Sequence, residues 1–145
     1  MKKIFLSVVI AVAIFPSLTY SEQYPSCTVV LEPKVEFQGN AKGVALIYNI
    51  ERKFSDKRTS LSIHALHMPL PSRFGKYDSF EVLAFIPNEI SWTFPLIQYA
   101  ENNWAGIWDE ISPTMRPTQI KVRTINSNTN EFGPVVLEGN VSCSK

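Results

Sequence analysis

The chain has 145 residues, of which 45% are hydrophobic and 19% are charged, and its formal charge at pH 7 is +1. This near-neutral balance, without a long basic run, argues against nucleic-acid binding and against binding to anionic membranes by charge. The length suits one domain with a single hydrophobic core.

The N-terminus predicts export. A short basic start precedes the apolar run Ile4–Leu18, which is shorter than the roughly 20 residues that a membrane-spanning helix needs. Thr19–Ser21 places small residues at the −3 and −1 positions of a signal-peptidase site. We therefore predict a cleaved signal peptide at residues 1–21 and a single secreted or periplasmic domain at residues 22–145, which does not bind membranes. An uncleaved anchor is the alternative.

The two cysteines predict one structural disulfide. Cys27 and Cys143 lie near the two ends of the mature chain. In an oxidising compartment two such cysteines usually form a bridge, and no C-x-x-C spacing favours a redox pair. We expect the bridge to link the first and last strands.

Most of the chain shows the period-two alternation of short strands. Proline-rich or polar turns separate these segments, and Phe80–Ile86 is apolar on both faces, which favours a central position in a sheet. Strands are predicted at Cys27–Leu31, Val35–Gln38, Val44–Ile50, Leu61–Ala65, Phe80–Ile86, Ile90–Phe94, Ile120–Thr124 and Val135–Cys143. In the last segment, the predicted inward residues are Val135, Leu137, Gly139, Val141 and Cys143. The pattern predicts a mainly β protein, an antiparallel β-sandwich with immunoglobulin-like architecture.

Residues 95–111 are the exception to this alternation. Their apolar residues follow helical spacing, although Asn102, Asn103 and Gly106 are weak helix formers. The spaced apolar residues are Ile97, Ala100, Trp104, Ile107, Trp108 and Ile111. We predict one short helix or helical turn here, packed on the sheet, in preference to a loop and a strand.

The same segment holds the candidate binding residues. Trp104 and Trp108 are four residues apart and share a face of either a helix or a strand. Two exposed rings would form a stacking platform for a sugar or an anchor for a protein, whereas two buried rings would fill the core. With the adjacent Asp109 and Glu110, they form the predicted binding surface. A solvated helix face is the alternative explanation for the two carboxylates.

Catalytic and metal motifs are weak. His64 and His67 are the only histidines, and a spacing of three on a strand sends their rings to opposite faces. No third histidine or nearby carboxylate completes a metal site, so no metal or cofactor is predicted. No G-x-S-x-G elbow or glycine-rich phosphate loop is present, and the charged segment Arg52–Ser60 is interpreted as a solvated hairpin connection.

The sequence therefore predicts an exported, non-enzymatic binding protein that recognises a protein or a carbohydrate through a tryptophan-containing surface. An inhibitor or immunity-type protein is one form of this function, and a subunit that pairs through a strand edge is another. The alternative is an exported glycan or cell-wall hydrolase that uses carboxylates near the tryptophans. The sequence leaves the oligomeric state open.

Overall fold

The computed structural model describes residues 25–34 and 39–143. The predicted signal peptide and the predicted strand at Val35–Gln38 lie outside these residues. Within the described ranges, no helix is both long enough and apolar enough to cross a bilayer.

The described chain is mainly β, as predicted. Its helical content is limited to two short 3-10 turns, at Lys53–Ser55 and Pro71–Phe74. The strands are β1 (Cys27–Pro33), β2 (Lys42–Glu51), β3 (Lys57–Leu66), β4 (Ser79–Ile86), β5 (Ile90–Pro95), β6 (Ile97–Ala100), β7 (Asn103–Ile111), β8 (Gln119–Asn126) and β9 (Glu131–Asn140).

All neighbouring strands pair antiparallel in the order β5-β4-β8-β9-β1-β2-β3-β7-β6. Strand β1 joins the two halves of this sheet, because Cys27–Leu31 pair with β2 whereas Glu32 and Pro33 pair with β9. Strand β5 also contacts β7, so the sheet is nearly closed.

The core lies inside this sheet and is filled by inward-facing side chains from both halves. The largest fully buried ones are Phe80, Leu31, Ile47, Leu61, Ile63, Met68, Ile111, Ile120 and Leu137. The predicted disulfide is confirmed: Cys27 opens β1 and is bonded to Cys143, just after β9, with their Cα atoms 5.8 Å apart. Because the bridge spans 116 residues, chain entropy predicts a stabilisation of about 4–5 kcal/mol.

The predicted helix at residues 95–111 is wrong, since this segment contains the end of β5 and the strands β6 and β7. Two features imitate a helix. Thr59 pairs with Ile111 but Leu61 pairs with Trp108, so β7 contains one extra residue, a β-bulge, which gives the inward Trp108 and Ile111 a spacing of three. Ile97 and Ile107 are exposed on the outer face, so the apparent helical pattern combines residues from both faces of the sheet.

Gly106 has a role in this strand that its weak helix propensity does not reveal. A Cβ atom at Gly106 would lie 2.9 Å from the carbonyl oxygen of Pro95 and 2.9 Å from Leu96 Cδ2. The chain passes from β5 to β6 at this point, so glycine permits a close approach of backbone to β7.

The last strand also needs a correction. Strand β9 ends at Asn140, before Val141 and Cys143, and the adjacent residues Val136 and Leu137 are both buried. A register shift opposite Val122 on β8 interrupts the alternation that predicted Val135 as the inward residue. The inward position of Leu137 is as predicted.

Candidate binding surfaces

The two predicted binding tryptophans lie on the inner face of β7. Trp104 is 8% exposed, and its ring meets that of Phe80 edge to face, with centroids 5.1 Å apart. Trp108 is half-buried and stacks on Phe94 at a centroid distance of 6.1 Å. Its buried indole N–H has no hydrogen-bond partner among the described residues. Trp104 is therefore part of the core, whereas the role of Trp108 in binding stays a prediction.

The two predicted carboxylates hold β7 to the β2–β3 hairpin. The Ser60 hydroxyl donates to Asp109 Oδ1 at 2.6 Å, and Arg52 donates to Glu110 Oε1 at 2.9 Å. Arg52 also donates to the main-chain oxygen of Asp109 at 2.5 Å. The hydrogen bond to Glu110 raises the pKa of Arg52, and partial desolvation opposes it. Asp109 thus orients the Ser60 side chain, and Glu110 orients the Arg52 side chain.

The connection between β2 and β3 presents the most exposed aromatic side chain among the described residues. At the turn Lys53–Ser55, which we call the hairpin tip, Phe54 is 100% exposed. Phe54 has φ +63° and Ser55 has φ +58°, both in the left-handed region. Gly and Asn adopt this region most readily, whereas bulky side chains are strained there. Phe54 therefore combines backbone strain with full exposure of an apolar ring.

Hydrogen bonds and ion pairs fix the base of the hairpin tip. The main-chain N–H of Arg52 donates to the oxygen of Asp56 at 2.9 Å, which closes the turn. The Asp56 carboxylate lies 3.1 Å from Arg58 Nε, and Glu110 holds the Arg52 side chain. These contacts fix the main chain on either side of Phe54.

A second surface is the outer face of the β1-β2-β3-β7-β6 half of the sheet. Two rows of direct cross-strand neighbours cover it, and we call them together the apolar sheet face. The rows are Val30–Val44–His64–Ala105–Ile97 and Thr28–Leu46–Ser62–Ile107. Neither row contains an Asp, Glu, Lys or Arg, and Ile97 is 71% exposed. Tyr99 adds an exposed ring beside His64, with centroids 6.3 Å apart.

The outer face of the other half of the sheet is charged instead. Arg123 donates to Glu81 Oε1 at 2.6 Å across the β4–β8 pair, and Lys121 pairs in register with Glu138. Lys121 also lies 5.4 Å from the centroid of the Phe85 ring. Although the Arg123 and Glu81 side chains are only 17% and 14% exposed, the charged residues of this face distinguish it from the apolar sheet face.

His64 lies on β3, whereas His67 follows the end of that strand at φ +54°. Among residues 25–34 and 39–143, no group of three or more His, Cys, Asp and Glu side chains is arranged to hold a metal ion. One cleft of about 640 Å³ is lined by Gly39, Asn40, Ala41, His67, Met68, Pro69, Leu70, Arg73, Phe74, Asn102 and Val136. None of the four predicted binding residues lines it.

Comparison with known proteins places the chain in a family. Residues 23–145 match the family described as SPbeta prophage-derived uncharacterized protein YoqH. The chain belongs to the YoqH family. It is 44% identical over 144 residues to the protein of that description from Bacillus subtilis (strain 168), covering 96% of this chain and 93% of the relative. No solved structure matches the chain.

Proposed function

We propose that this member of the YoqH family is an exported, non-enzymatic binding protein that inserts Phe54 into an apolar pocket of another protein. The observation that carries the proposal is a fully exposed phenylalanine in a left-handed conformation at a braced hairpin tip. Strained residues of this kind cluster at functional sites. Aromatic anchors in desolvated pockets supply much of the energy of protein interfaces.

The predicted site residues contribute to this surface from its base. Glu110 and the main-chain oxygen of Asp109 hold Arg52, and Arg52 closes the hairpin below Phe54. A protruding, preorganised tip suits an inhibitor or immunity-type protein that blocks a cleft. Trp104 is buried, so only Trp108 remains of the two rings that were predicted to stack on a sugar. We therefore favour a protein as the partner. The engagement of Asp109 with Ser60 and of Glu110 with Arg52 gives no support to a hydrolase.

Export is part of the proposal. Its support is the N-terminal pattern of a signal peptide together with the Cys27–Cys143 disulfide, since such bridges persist in oxidising compartments.

We also infer that the nearly closed sheet is a sandwich of two layers. Two features support this: Phe80 of β4 packs against Trp104 of β7 from the opposite half, and β1 pairs with β9 only at Glu32 and Pro33.

Affinity capture from the exported fraction of the host tests the proposed function. The oxidised wild-type protein is compared with Phe54→Ala and with the matched control Phe132→Ala, which removes another exposed phenylalanine. We expect one protein to be retained by the wild type and the control but lost with Phe54→Ala. Purified partner should then bind Phe54→Ala at least about 30-fold more weakly, the effect of a hot-spot residue. Equal binding by all three proteins would refute the proposal.

A further inference from the structure

The apolar sheet face is large for a surface exposed to water. At ordinary side-chain areas, the exposed fractions of its large residues and of Tyr99 leave on the order of 500 Å² of mostly apolar surface. The contributing side chains are Val30, Leu46, Ile97, Tyr99 and Ile107. A patch of this size lies in the range of the largest apolar patch of a soluble monomer, and such patches are often functional.

The structure assigns this face to a second copy of the same chain: we propose that the protein forms a symmetric dimer in which two apolar sheet faces pack against each other. Two faces that bury all of this surface remove roughly 1,000 Å² from water, which is about the lower limit for a specific interface. Homodimer interfaces are more apolar than other interfaces, and their centres are depleted of charge. The two rows have this composition, whereas the charged face with Glu81, Lys121 and Arg123 does not.

The shape of the surface also suits a second copy. It is the outer face of five paired antiparallel strands, and faces of this kind pack about 10 Å apart with their side chains interdigitated. In a dimer with a two-fold axis, the same patch of each subunit forms both sides of the interface, so no second kind of surface is needed. The charged pair Lys42–Glu32 lies at one end of the rows, and the half-buried Asp109 lies at the other, as the polar rim of the interface.

This dimer is independent of the proposed function. Along β2 and β3 the hairpin tip lies beyond Tyr48 and its partner Ser60, outside the two rows. Phe54→Ala should therefore leave the dimer intact, and a change in the rows should leave the capture by Phe54 in place. A dimer would present two hairpin tips, which raises avidity for a partner that is itself multivalent.

Sedimentation equilibrium of the oxidised protein over the micromolar range tests the dimer. We expect twice the monomer mass for the wild type. Leu46→Lys and Ile107→Lys each place a charge in the rows and should raise the dimer Kd at least about 30-fold. The matched control is Ile90→Lys on β5, because Ile90 is 37% exposed and Leu46 is 39% exposed. The control should remain dimeric.

Three results would overturn the proposal: a monomeric wild type, dimers in both row variants, or dissociation by Ile90→Lys as well. If the lysine variants do not fold, methyl NMR of the wild type gives the answer. On dilution, the methyl signals of Val30, Leu46 and Ile107 should shift while that of Ile90 stays constant. Constant signals in the rows would refute the dimer whatever the variants do. A monomer that uses the rows to bind a different protein would refute it too.

Discussion

Placing Asn-Gly at positions 54 and 55 should make the protein more stable and weaken the proposed partner binding. In the double variant Phe54→Asn, Ser55→Gly, two residues with φ +63° and +58° are exchanged for residues that adopt the left-handed region more readily. Phe54 is fully exposed, so its removal takes no apolar contact from the core. The left-handed conformation costs an L-residue about 1–2 kcal/mol, whereas Asn tolerates it and glycine adopts it without strain.

The expected gain is smaller than the sum of the two strains, because a glycine in place of Ser55 would enlarge the conformational entropy of the unfolded chain by up to about 1 kcal/mol. We therefore expect the free energy of unfolding to rise by about 1–2 kcal/mol, which corresponds to a Tm increase of about 3–6 °C. Partner binding should fall at least about 30-fold at the same time, as for Phe54→Ala. Such an exchange of stability for function is common at binding sites.

Urea unfolding of the wild type, Phe54→Ala and the double variant measures the gain. Phe54→Ala is the control, because it removes the exposed ring but keeps most of the backbone strain at φ +63°. Its stability should lie close to that of the wild type. A double variant that is less stable than Phe54→Ala, or one that still binds the partner with wild-type affinity, would contradict the reasoning.

Three further changes test the fold. Gly106→Ala should lower the free energy of unfolding by about 1–3 kcal/mol in urea unfolding, because its Cβ would press on the oxygen of Pro95; an unchanged midpoint would contradict the close approach. Reduction of the Cys27–Cys143 bridge should cost up to about 4–5 kcal/mol, and equal melting of oxidised and reduced protein would contradict this. Hydrogen bonds from the β8–β9 turn lower the pKa of Asp78, so their contribution is present above the unfolded pKa and is lost as pH falls through the folded pKa. Asp78→Asn should flatten the loss of stability between neutral and acidic pH in a series of thermal melts, and an unchanged pH slope would count against this contribution.

The sequence predicted the parts of the fold in which the alternation of side chains is regular. Strands β3 and β8 have one clearly inward row, and the two cysteines leave a single possible bridge. These features depend on the local alternation of side chains and on the number of cysteines, and both can be read from a single sequence. The disulfide and the mainly β, antiparallel fold are confirmed for that reason.

The sequence failed where the alternation is broken. The extra residue in β7 gives the inward Trp108 and Ile111 a spacing of three, and the exposed Ile107 adds an apolar residue from the outer face. A bulge is fixed by pairing with the neighbouring strand, here by Thr59 and Leu61 of β3, which lie far away in the chain. Periodicity alone therefore predicted a helix.

The apolar sheet face and the hairpin tip were not predicted from the sequence, for two different reasons. The segment Val44–Ile47 is apolar on both faces, so its pattern does not reveal that Leu46 is outward and Ile47 inward. Phe54 lies in the charged segment Arg52–Ser60, where no period predicts its orientation. Its exposure follows from the hairpin register, in which Glu51 pairs with Lys57 and leaves Phe54 at the tip.

The most direct test of the proposed function is site-specific photo-crosslinking at the hairpin tip. A benzophenone side chain replaces Phe54 in one protein and Phe132 in another, and each oxidised protein is irradiated with the exported protein fraction of the organism that encodes it. Phe132 is a matched site, because it is exposed and lies on the other half of the sheet. We predict one discrete crosslinked protein from position 54 and none of the same mass from position 132. The absence of a discrete product at position 54, or the same product at both positions, would contradict the role of Phe54 as the anchor.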